Sequence, residues 1–157
     1  MNSSPGSKNF RLKEILLAGL LVGTFDIVAA CIQFYLKTGK GPEPVLKYIA
    51  SAVFNKEAYT ANGMWVWGLL FHFVIAIAFT ALFFWLANKI PVILSNKILT
   101  GVIYGIFVWS TMQFLILPFT AISVSLPSLQ NALLAIGILV LCIGWPLTFF
   151  ASRHPSV

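Results

Sequence analysis

Hydrophobic positions along this chain fall into four long runs, Ile15 to Leu36, Met64 to Ala87, Ile98 to Phe119 and Ala132 to Ala151, separated by polar or breaker-rich links. A helix needs about 20 apolar residues to cross the hydrocarbon of a bilayer, so each run predicts a transmembrane helix. The polar and small residues inside the runs are ordered. In the first, Gly19, Gly23, Asp26, Ala30 and Gln33 recur at steps of four, three, four and three, one stripe of an α-helix. The second carries Gly68, His72, Ala76 and Thr80. The third repeats a Gly-x-x-x-Gly spacing at Gly101 and Gly105 and adds Gln113 before Pro118, which ends or kinks the helix. In the fourth, Gly137, Leu141, Gly144 and Thr148 share one face of a regular helix, with Trp145 and Pro146 close to its end. Lipid-facing stretches gain nothing from glycine, whereas helix contacts do. Gly19, Gly23, Gly68, Gly101, Gly105, Gly137 and Gly144 are therefore read as packing positions, and Asp26 as pointing at protein.

The links add two elements. Met1 to Asn9, rich in Ser, Gly and Asn, predicts a disordered lead-in. The first loop opens on the breaker cluster Lys37 to Pro44, after which Val45, Ile49, Ala52 and Val53 fall at helical spacing while Lys47, Ser51 and Asn55 fall elsewhere. That predicts a short amphipathic helix, with Tyr48, Tyr59, Lys47 and Lys56 placed to reach headgroups, which either lies along the membrane surface or caps the bundle. Trp65 and Trp67 at one end of the second run and Trp85 near the other match interfacial aromatic belts. The expected fold is all-α and polytopic: one membrane domain over 1–157, four transmembrane helices in a compact bundle, and a surface helix in the first loop.

Composition agrees, with 59% hydrophobic and 9% charged residues against the ~45–50% and ~25% of soluble domains. Lys and Arg set the expected orientation. Lys8, Arg11, Lys13, Lys89, Lys97 and Arg153 lie on one side, against Lys37, Lys40, Lys47 and Lys56 on the other. The link from Ser123 to Gln130 has none, so both termini are expected to be cytoplasmic, in a cell inner membrane. A rival reading takes Val28-Ala29-Ala30-Cys31 as a lipoprotein cleavage box. Asp26 would interrupt such a signal, and the apolar run continues past Cys31. The net charge of +6 is scattered, which suits anionic headgroups better than nucleic acid.

Asp26 is the chemical question. A carboxylate amid hydrocarbon costs about 2.5–3.5 kcal/mol even on lenient scales. His72 falls at a similar depth on an antiparallel neighbour, so the two could meet as an ion pair or a hydrogen-bonded couple. Such a pair serves either as a packing clamp or as a proton carrier, with Gln113 and Gln33 as further members of a polar site. Other chemistry is poorly served. Cys31 and Cys142 form no Cys-x-x-Cys pair, His154 is too remote for a second haem ligand, and no catalytic or phosphate-binding motif occurs. No metal, cofactor or catalytic residue is expected. In order along the chain, Gly19-Leu-Leu-Val-Gly-Thr-Phe-Asp26, Tyr48-Ile-Ala-Ser-Ala-Val-Phe, Gly68-Leu-Leu-Phe-His72-Phe and Tyr104-Gly-Ile-Phe-Val-Trp give a resemblance to small four-helix bacterial inner-membrane proteins of the YagU-like type. That resemblance implies a location and no activity. The leading expectation is a non-enzymatic membrane component with a buried polar site. The alternative is a small proton-linked transporter using Asp26 and His72, and a third reading makes the glycine faces contacts with another copy or a membrane-protein partner.

Overall fold

Breaker residues divide a nearly continuous helical chain. The computed structural model describes residues 12–122 and 126–153, and the expected lead-in Met1 to Asn9 lies outside them. Helix α1 spans Leu12–Thr38 and stops at Gly39, whose φ of 69° only glycine adopts freely and whose N–H closes the last turn on Tyr35 O at 2.8 Å. Helices α2 (Glu43–Phe54) and α3 (Glu57–Thr60) fill the first loop, followed by α4 (Met64–Lys89). After a 3-10 turn at Pro91–Leu94, Asn96 caps α5 (Lys97–Thr111) by accepting the Leu99 N–H at 3.1 Å. The last long helix comprises α6 (Leu129–Leu139), a π-helical turn at Val140–Gly144 and α7 (Trp145–Arg153). Strands are absent among the described residues. Four helices, Leu12–Thr38, Met64–Lys89, Lys97–Phe119 and Leu129–Arg153, are long and apolar enough to cross a membrane. They outrun the apolar stretches because charged ends such as Lys13, Glu14, Lys89 and Arg153 continue the helices.

Glycines decide where the helices pack. Helices α1 and α4 touch where a Cβ on Gly19 would stand 2.9 Å from Ile77 Cγ1 and one on Gly23 3.0 Å from Ala76 Cβ. Helix α5 meets the fourth long helix more closely, since a Cβ on Gly144 would collide with Gly101 O and one on Gly105 would lie 2.5 Å from Val140 Cγ2. Phe83, Phe84, Val22, Val108 and Leu147 fill the centre. Tyr104 crosses it to donate its hydroxyl to Phe79 O at 2.5 Å. Helix α2 docks on α4, and a Cβ on Gly68 would run into Leu46 O. It buries Leu46, Ala50 and Ser51, while Val53, one of the expected apolar positions, stays exposed.

Two π-helical turns, Met112–Ile116 and Val140–Gly144, interrupt the regular helices that spacing predicts. Each precedes a proline by two residues, Pro118 and Pro146. Proline has no N–H and its ring presses on the carbonyl four residues back, and a wider turn relieves both. Leu117 N and Trp145 N donate instead to Met112 O and Val140 O, five residues back. The second π turn corrects the expected face of the last helix. Its extra residue rotates the turns downstream of it, so Gly144 and Thr148 face inward while Leu141 is exposed and a Cβ on Gly137 would meet nothing within 4 Å. Among the described residues, Gly137 thus has no neighbour to pack against.

Gly144→Ala should accordingly destabilise the protein by about 1–3 kcal/mol, because the obstructing atom is backbone and cannot step aside. Gly137→Ala should stay within about 0.5 kcal/mol. Equilibrium unfolding in mild detergent distinguishes the two, and equal losses would contradict the offset.

Candidate functional site

A polar centre forms where α1 and α4 lie closest. Because Gly23 and Ala76 let the two backbones approach, His72 reaches across from α4 and its Nε2 stands 2.8 Å from Gly23 O. A carbonyl only accepts, so Nε2 carries the hydrogen and, in the neutral ring, Nδ1 holds the lone pair. Asp26 lies three residues after Gly23, on the same face of α1. Asp26 and His72 line one cavity of about 130 Å³, closed by Ile49 from α2, Val108 from α5, Met112 from the first π turn and Ile143 from the second. The volume exceeds the ~10–15 Å³ that a water requires.

Asp26 and His72 are thus brought together without a mutual hydrogen bond. The carboxylate bonds to no other described residue, although it lies within electrostatic range of His72 and of Cys142 in the second π turn. Gln113 sits in the first π turn, next to Met112, and is not among the residues lining this cavity. Gln33 lies two turns farther along α1, in a separate cavity of about 490 Å³ with Lys37, Tyr48 and Tyr59. Among the described residues, no three His, Cys, Asp or Glu side chains gather as a metal would require.

Sequence reasoning missed Ile49, Met112, Ile143 and the proximity of Cys142. Pro118 and Pro146 were the available signal for three of them, since each proline marks the π turn just upstream. No known family, curated protein or solved structure matches the chain. The YagU-like resemblance therefore rests on its quoted motifs alone.

In the outer cavity, burial first and then neighbouring Tyr59 hold the Tyr48 hydroxyl above its ordinary pKa of 10.0. An acid whose folded pKa is raised keeps its proton more firmly in the folded state. Its stabilising contribution is complete below the unfolded value and is lost as pH rises through the folded one. Stability should therefore decline above pH 10.0 in the wild type and decline less in Tyr48→Phe. Thermal unfolding in detergent across that range tests this, and parallel curves would contradict it.

Proposed function

We propose that this chain is a multi-pass, non-enzymatic membrane protein whose site at Asp26 and His72 exchanges protons, and that it acts as a small proton-linked transporter. Insertion is supported by the outer surface. Only 28% of the most apolar stretch is buried in three of the long helices and 17% in the other. Leu20, Phe25, Val28 and Ile32 of α1 and Val66, Leu70 and Val74 of α4 are exposed. In water such a surface would be an aggregation liability, whereas in lipid it is the required one. Exposed Trp67 and Trp85 lie about 27 Å apart along α4 at 1.5 Å per residue, close to a hydrocarbon thickness.

The observation that carries the proton reading is the division of labour between the two residues. A clamp joining helices needs His72 and an acceptor, and Gly23 O supplies that acceptor without the carboxylate. Asp26 is left facing a cavity large enough for water beside the imidazole, an arrangement that suits taking up and releasing a proton. The location belongs to the same reading: a bacterial inner membrane with cytoplasmic termini, as the YagU-like resemblance and the balance of Lys and Arg suggest. Self-association through the glycine faces has less to support it, because among the described residues six of the seven candidate glycines meet neighbours and Gly137 does not.

Reconstituted vesicles carrying an imposed pH gradient and a trapped pH indicator provide the test. Wild-type protein should carry protons at least tenfold faster than Asp26→Asn, while both unfold at the same temperature. Equal flux from the two, at any pH and with any solute present, would reduce Asp26 to a packing residue.

A further inference from the structure

The transport reading leaves open what enters with the proton, and a second cavity bears on that question. Its lining includes Ala30, Gln33 and Lys37, which continue the Asp26 stripe of α1 at steps of four, three and four. Ala30 is one turn beyond Asp26, about 6 Å along the axis. At about 490 Å³ the cavity falls within the range of small-molecule sites. It is walled on the other side by Pro44, Val45 and Tyr48 of α2 and by Tyr59 of α3.

The hydrogen-bonding capacity of this lining is one-sided. Lys37 Nζ spends one of its three N–H groups on Asn131 Oδ1 at 2.7 Å, which ties α1 to α6 and leaves two. Ser51 donates to Tyr48 O at 2.7 Å, so its 3.2 Å contact with Tyr59 is one in which the Tyr59 hydroxyl donates, and that ring is pinned. The Tyr48 hydroxyl and the Gln33 amide bond to no other described residue and remain available. The lining carries one formal positive charge and no carboxylate, and the rest of its wall, including Phe34, Pro44 and Val45, is apolar. Glu43, on the same helix as Tyr48, is paired with Lys47 at 2.9 Å and does not line the cavity.

We infer that this cavity is a vestibule that binds a small anionic amphiphile, its oxyanion on Lys37, Gln33 and Tyr48 and its short apolar body against Phe34, Pro44 and Val45. The inference deepens the transport reading and rests on it for the vestibule's purpose, though not for its ligand chemistry. The same head-group chemistry could arrive dissolved in water or as the head of an anionic lipid.

Hexanoate titrated by calorimetry into the full chain in nanodiscs tests the assignment, with hexylammonium as the charge-reversed control. Hexanoate should bind and hexylammonium should not. Lys37→Gln, which keeps a donor for Asn131 but removes the charge, should weaken hexanoate about tenfold without changing the unfolding temperature, and Tyr48→Phe should weaken it less. In zwitterionic discs such binding identifies a dissolved ligand. If discs containing phosphatidylglycerol suppress it, and Lys37→Gln also abolishes that suppression, the site is the one proposed and lipid fills it. Equal binding of the two amphiphiles, or hexanoate binding unaffected by Lys37→Gln, would overturn the vestibule. The titration is repeated on Asp26→Asn. Lys37-dependent binding there upholds the vestibule even where vesicles show no proton flux, so failure of the transport reading is told apart from failure of this one.

Discussion

Gly23 is where two constraints meet. Its missing side chain lets α4 approach until Ala76 Cβ would be 3.0 Å from any added Cβ, and its carbonyl receives His72 Nε2 at 2.8 Å. The first sets the distance between α1 and α4, and the second sets their register. With both in place, Asp26 shares a cavity with the imidazole ring and is not pressed against a neighbouring backbone. Interhelical hydrogen bonds in membranes average only about 0.6 kcal/mol, so this one specifies geometry more than it supplies stability. Position the two helices otherwise and the cavity shared by Asp26, His72 and Ile49 does not form.

The surrounding elements complete that cavity by relieving their own local strain. Pro118 and Pro146 each force a π turn, and the two turns contribute Met112 and Ile143 to its wall. Turns of this kind recur at functional sites because they break the α-helical pattern and redirect side chains. Helix α2 supplies Ile49 only because Gly68 admits its backbone against α4. Three departures from simple helix packing thus converge on one cavity, apolar apart from Asp26 and His72.

Much of this is legible from residue spacing. The four apolar helices, the small-residue faces of α1, α4 and α5, and the similar depth of Asp26 and His72 all come from a constant 100° per residue and antiparallel neighbours, whereas the expected ion pair or hydrogen bond between those two residues is not formed. Spacing fails where that constancy breaks. It assigns Gly137 to the face of Gly144, and the π turn between them rotates one away from the other. It gives helix α2 a face through Val53, and docking on Gly68 selects Leu46 and Ala50 in its place. Polarity groups Gln33 and Gln113 with Asp26, yet depth puts Gln33 in a different cavity. The acceptor for His72 is beyond reach for another reason, since backbone carbonyls leave no mark on a sequence.

The central claim is that His72 is committed through Nε2 to the Gly23 carbonyl while Asp26 stays uncommitted and in contact with water. Nuclear magnetic resonance on lipid-reconstituted protein, with nitrogen-15 in His72 and carbon-13 in the Asp26 carboxyl group, reads both halves at once. The account predicts a ring protonated at Nε2, an Asp26 carboxyl signal that responds to bulk pH, and transfer of magnetisation from water to that site. An Nδ1-protonated ring donating to Asp26, or a carboxyl signal that ignores pH and sees no water, would contradict it and restore a dry packing clamp.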